Sequence, residues 1–206
     1  IFSKSRAINY LSAARLFLFG ARDVWFVVAL PVYLASSLGW DNGYVGSFLA
    51  LWIIAYGVVQ TQAPRFTGKR EGRVPDGKVA MGWALVLALT PALIALALHF
   101  DLHPAISLVG GLMVFGALFA INSSLHSYLI VSYAGADGVS LDVGFYYMAN
   151  ALGRLLGTLL SGLVFQLHGL EACLWLSTLF ILLAALFSLG LPRHQPPVSS
   201  HSHGVS

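Results

Sequence analysis

The chain has 206 residues, 58% of them hydrophobic and 9% charged, with a formal net charge of +3 and a mean hydropathy of +0.80. A soluble domain carries roughly a quarter charged residues, so an ordinary water-soluble fold is excluded. The single cysteine, Cys173, excludes an internal disulfide and a cysteine-based metal site. No phosphate-cradling glycine loop points to ATP hydrolysis, and no cofactor is implied.

The apolar residues fall in long blocks, several near the roughly 20 residues a helix needs to cross a bilayer, and the short alternating strands of a β-barrel are missing. The first predicted helix, Ser12 to Leu38, carries Arg15, Arg22 and Asp23, with Pro31 as a tolerated kink site. The second runs from Tyr44 to Gln62, and Gln60 near its inner end reads as interfacial. The third, Val79 to Leu98, contains Pro91 and no ionisable residue. The fourth, Ala105 to Ser132, places Asn122 and His126 at i, i+4 on one face, with Ser123 and Ser127 beside them. The fifth, Val143 to Gln166, continues a polar row that runs Asp142, Tyr146, Asn150 and Arg154. It also holds Gly153, Gly157 and Ser161, a small-residue rhythm that admits another helix closely. The sixth, Leu170 to Leu191, is apolar beyond Glu171 and, like the third, reads as lipid-facing. Breaker residues mark the turns at Gly39 to Gly43, Asp101 to Pro104, Gly135 to Ser140 and Gln166 to Gly169.

Lys and Arg in short loops stay on the cytoplasmic side. Lys4 and Arg6 precede the first helix, Arg65, Lys69, Arg70, Arg73 and Lys78 follow the second, and Arg193 follows the sixth, all on one side. The opposite turns hold Asp41, Asp101 and Glu171 without Lys or Arg. Both ends are therefore expected in the cytoplasm, in an inner (plasma) membrane, and the +3 charge reflects topology and not nucleic-acid binding.

Arg15, Arg22 and Arg154 fall inside predicted helices. An intramembrane Arg is costly and faces a bundle interior or a watery path. At 1.5 Å per residue, Arg22 and Arg154 both sit about 13 to 16 Å from the inner face, near the midplane. Asp23 and Asp142 are the acidic residues near the helices, so guanidinium groups outnumber carboxylates there. Planar bidentate donors suit phosphate, arsenate or carboxylate oxygens, and a small anionic substrate is the expected ligand. The bland alternative is that each Arg is neutralised locally and fixes packing. Arg15, two turns below Arg22, is either a lower rung of the path or a side chain snorkelling to the interface, and the second is favoured. Asp23 reads equally as a proton-coupling carboxylate or as a partner that lowers the cost of an Arg. Asn122, Asn150, His126 and Tyr146 line a cavity in the functional reading; interhelical hydrogen bonds account for the asparagines in the other, and for His126 alone packing is favoured.

The order polar, weakly polar, apolar, then polar, polar, apolar is a three-plus-three repeat of roles, the arrangement that builds each half of a major facilitator transporter. The expected fold is thus an all-α integral membrane protein forming a six-helix transporter half over 12–192. A cytoplasmic linker over 1–11 and a disordered cytoplasmic tail over 193–206 flank it. The stretches SAARLFLFGARDVWF (Ser12 to Phe26) and DVGFYYMANALGRLLGTLLSGLVFQ (Asp142 to Gln166), with Gly46 to Pro64, resemble the organoarsenical efflux permease of the major facilitator superfamily, and the resemblance extends nearly to Arg193. It implies export of 1-arseno-3-phosphoglycerate, the ester formed when glyceraldehyde-3-phosphate dehydrogenase accepts arsenate in place of phosphate. It also implies a functional link to that enzyme and, because the chain reads as a fragment, a missing N-terminal six-helix half as partner. Outside the transporter class, a membrane enzyme acting on lipid phosphate would use His126 as base and an Arg as phosphate clamp, but no carboxylate is in place to orient that base. A non-transporting scaffold would leave the midplane arginines unexplained.

Overall fold

The computed structural model of the protein describes residues 5–62, 76–134 and 139–192. The basic loop residues Arg65, Lys69, Arg70 and Arg73, together with Lys4, Arg193 and the expected tail, lie outside the described residues. Every regular element among the described residues is helical: α1 (Arg6–Phe26), α2 (Ala29–Ser36), α3 (Asn42–Gln62), α4 (Gly77–His99), α5 (Pro104–Tyr133) and α6 (Val139–Ser188). Among the described residues five runs are long and apolar enough to cross a membrane, and one of them joins α1 and α2 as Arg6–Ser36.

Local chemistry sets the ends. Asp76 caps α4, its side chain accepting from the backbone N–H groups of Lys78 and Val79. Pro104 opens α5 at a position whose N–H would have no helical partner. Asp41 accepts from the Gly43 N–H at 2.8 Å at the start of α3.

Three features depart most from the sequence reading. The first helix begins at Arg6 and not at Ser12, because Ile8 and Leu11 are completely buried and reward another turn and a half of helix. The same span breaks at Val27 and Val28, one turn before Pro31, since a proline ring collides with the carbonyl four residues back. The freed N–H groups of Val28 and Ala29 both donate to the Ser161 hydroxyl, at 3.3 and 3.0 Å. The expected turn from Gln166 to Gly169 narrows to one residue. Gly169 has φ 76° and ψ −174°, a backbone state open essentially to glycine, and it divides α6 into arms of residues 139–168 and 170–188.

α1 lies against both arms of α6, the most extensive helix pairing in the molecule. On the first arm, a Cβ at Gly153 would overlap the Leu16 carbonyl, and one at Gly157 would lie 2.7 Å from the Gly20 carbonyl. The small-residue row found in the sequence thus lets two backbones touch, and its partner is α1. On the second arm, Ser177 donates to the Ala21 carbonyl at 2.7 Å and Phe180 packs over Gly20.

α4 packs on α6 and α5, with Ile94 seated against Gly111. Its outward side presents Leu85, Val86, Leu89, Leu93 and Leu96, a surface suited to acyl chains. α3 is the least embedded helix, burying only Val45 and Trp52, and the Trp52 indole ties it to α5 by donating to the Leu112 carbonyl at 3.1 Å. An aromatic column of Trp25, Phe115, Phe119 and Phe19, with successive rings 5.1 to 5.6 Å apart, fills the space between α1 and α5.

Candidate functional site: a two-tier arginine column

α1 carries two cationic tiers. Arg15 and Arg22 are seven residues apart, close to two full turns, so their side chains leave the helix on one side. Arg15 meets Asn150 on the first arm of α6, and Asp23, next to Arg22, meets Arg154 one turn further along that arm.

In the lower tier Arg15 is buried, 5% exposed, and does not snorkel to the interface as the sequence reading favoured. Its Nε donates to Asn150 Oδ1 at 3.1 Å, and Nη1 donates to the Ser123 carbonyl at 3.1 Å and to Ser123 Oγ at 3.3 Å. Its guanidinium lies 3.9 Å from the centre of the Phe19 ring and 5.1 Å from that of Tyr146. All these partners are neutral, and no carboxylate pairs with Arg15 among the described residues. The inward pull is physical. Two aromatic faces, an amide and a backbone carbonyl replace enough of the lost hydration to hold the cation inside.

The upper tier is compensated. Asp23, 1% exposed, accepts from Arg22 Nε at 2.6 Å through one oxygen and from Arg154 Nε at 3.2 Å through the other. One carboxylate thus bridges two helices and two guanidinium groups, which leaves a net positive charge. Arg22 is 15% exposed and Arg154 is 56% exposed, so this tier opens on the surface of the chain while the lower tier is enclosed. The Phe19 ring stands between the tiers, 5.1 Å from the Arg22 guanidinium, and Phe119 lies 5.4 Å from it.

The structure gathers Arg15, Asn150 and Tyr146 in one tier and Arg22, Asp23 and Arg154 in the other. Asn122 and His126 are arranged differently. Asn122 donates to the Trp83 carbonyl at 3.1 Å and to the Leu118 carbonyl at 2.9 Å, which makes it a fully buried tie between α5 and α4. His126 is 1% exposed and its Nδ1 has no hydrogen-bond partner among the described residues, so no acidic group orients it as a base.

Sequence reasoning passed over three contributors. Gln60, near the end of α3, reaches Ser123 Oγ with its amide at 3.5 Å and brings that helix to the lower tier. Ser123 reads in sequence only as a neighbour of His126, although its hydroxyl and carbonyl face Arg15. Phe19 had no polar signal at all, yet its position four residues after Arg15 and three before Arg22 is the helical spacing that puts a ring between two side chains.

Long apolar helices that turn arginine, glutamine, serine and asparagine inward from α1, α3, α5 and the first arm of α6 define a multi-pass membrane protein with a polar seam, the interior of a transporter. The sequence profile of the Major Facilitator Superfamily matches residues 11–205, and the chain belongs to that superfamily of transporters. No curated protein matches the chain.

Proposed function

We propose that this chain supplies one half of the path of a gradient-driven exporter for small organic anions, and that its cargo is an arsenate or phosphate ester, 1-arseno-3-phosphoglycerate, whose removal confers arsenate resistance. The observation that carries the anion reading is Arg15, a guanidinium enclosed by neutral groups. Neutral partners offset only part of the cost of a cation in low dielectric, and an anionic ligand would supply the missing counter-charge. The ester identity rests on the resemblance of Ser12 to Phe26 and Asp142 to Gln166 to the organoarsenical permease. An exporter of another organic anion is the second reading, favoured by the same arginines because any small phosphate ester matches them.

In this proposal the two arms of α6 cross the inner membrane separately, giving six crossings with both ends in the cytoplasm. A second six-helix half covers the first arm of α6. The support for that partner is Arg154, which is exposed amid Leu152, Leu155, Leu156 and Leu159. Lipid would be a poor neighbour for that guanidinium, whereas another helical half with a wet seam would suit it. Asp23 is the candidate proton carrier, because a carboxylate held by two arginines is released when either is claimed by cargo.

The test is the arsenic retained by arsenate-challenged cells expressing the full-length protein, with and without glyceraldehyde-3-phosphate dehydrogenase. Lower retention that needs the enzyme, and that disappears in Arg154→Ala and in Arg154→Lys at undiminished membrane abundance, is the expected result; lysine fails because a point charge does not replace a planar fork. Retention unaffected by the protein or independent of the dehydrogenase would sink the ester reading. Lost abundance in the variants would assign Arg154 to packing.

A further inference from the structure

We infer that Asp23 is a specificity-determining residue: its carboxylate holds, between Arg22 and Arg154, the position that the second anionic group of a two-headed substrate would take. The inference rests on the proposed anion path and concerns which anions it admits.

The geometry divides the column into two seats of unequal availability. Arg15 and Arg22 are seven residues apart on α1, a rise of about 10 Å, and the Phe19 ring keeps their guanidinium groups from closing on one anion. Asp23 serves only the upper seat, where it bonds to Arg22 and Arg154. Arg15, bonded to Asn150 and Ser123, has no internal carboxylate to compete with a ligand among the described residues.

Asp23 also fills its seat incompletely. It takes one Nε from each arginine, whereas a phosphate or phosphonate group with three oxygens can engage the parallel donors of both forks. A substrate head that reaches the upper seat therefore exchanges two single contacts for a fuller set, and it must displace Asp23 to do so. A one-headed anion binding at Arg15 displaces no carboxylate and exchanges only the neutral partners Asn150 and Ser123. Two charges on a single carbon meet the same limit, because Phe19 separates the tiers. Asp23 accordingly discriminates by the spacing of anionic groups as well as by total charge.

Three phosphonates test this by equilibrium binding to the whole transporter in lipid nanodiscs: propylphosphonate with one head, methylenebisphosphonate with two on one carbon, and propane-1,3-bisphosphonate with two on a three-carbon spacer. Asp23→Asn keeps the side-chain shape and removes the charge. It should tighten propane-1,3-bisphosphonate by at least about tenfold and the other two by less than about threefold, while Asp23→Glu behaves like the native protein. Retained propylphosphonate binding shows that the Asn variant is folded. Equal tightening of the two bisphosphonates would overturn the inference and reduce Asp23 to a source of net charge, as would unchanged affinity for all three. If no phosphonate binds native or variant protein, the anion path itself is wrong. Binding of propylphosphonate without discrimination at Asp23 leaves that path standing and removes only the seat.

Discussion

Arg15 and Arg22 are two turns apart on one helix, yet their surroundings follow opposite rules. The upper arginine is held by a carboxylate that also holds Arg154, so its burial is compensated and its removal would disturb a bridge between α1 and α6. The lower one is held by an amide, a serine and two rings, so its burial is compensated only in part. A charge that secures packing is expected to have a counter-charge, whereas a charge kept for a ligand is not. Under the proposed anion path, the upper tier shares its work with assembly, whereas the lower one is the cation kept for a ligand.

The largest effect would erase the contrast. Gly153 meets α1 at Leu16, between the two tiers, with no room for a Cβ. Gly153→Leu should force the backbones apart and part Arg15 from Asn150 and Asp23 from Arg154 together. A loss of about 3 kcal/mol or more is expected, seen as collapse of membrane abundance and thermal stability. Wild-type stability would show that the seam between α1 and α6 is looser than the structure gives.

A paired substitution sharpens the contrast. Asp23→Ala leaves two guanidinium groups facing each other without a carboxylate and should cost about 2 to 3 kcal/mol, less than for a fully enclosed pair because Arg154 is half-exposed. Arg15→Met strands only neutral groups and fills the same space, so thermal stability should stay level or rise while anion transport is lost. Thermal unfolding in detergent and uptake by proteoliposomes separate the two. A strongly destabilised Arg15→Met protein would mean that the lower cation is structural.

Much of this was legible in the chain. Hydropathy gave the helices, and the rhythm of Gly153, Gly157 and Ser161 gave the close seam. The spacing of Arg15 and Arg22, and of Asn150 and Arg154, placed the cations on shared faces. What stayed hidden depended on helix rotation against neighbours. Adjacent side chains such as Arg22 and Asp23 leave a helix about 100° apart, so nothing in the sequence promised that one carboxylate would bend to bridge both arginines. Asn122 and Asn150 look alike in sequence, each polar within an apolar helix. One turns to the Trp83 carbonyl and the other to Arg15 because α5 and α6 present those faces to different partners. The proline at position 31 announced a kink, but its location at Val27 and its repair by Ser161 needed the tertiary structure.

The smallest effect concerns that repair, one turn above the upper tier. The Ser161 hydroxyl, fully buried, accepts from the N–H groups of both Val28 and Ala29, the donors released where the first span breaks. In hydrocarbon no water replaces such a partner. Ser161→Ala should therefore leave two backbone donors unpaired and cost about 1 to 2 kcal/mol, while Ser161→Thr, which keeps the hydroxyl, should cost less. Both tiers sit on the helix that ends at this break, the upper one within its last two turns and the lower one about two turns further back, where Asn150 and Ser123 anchor it. Loss of the pin should consequently loosen the grip of Arg22 on Asp23 before it touches Arg15. In hydrogen exchange, the amides of residues 24–30 should gain deuterium faster in Ser161→Ala, and those of residues 11–17 should keep native protection. Equal acceleration along the whole of α1 would show that the two tiers are one cooperative unit and that their difference in charge pairing does not carry over into a difference in mobility.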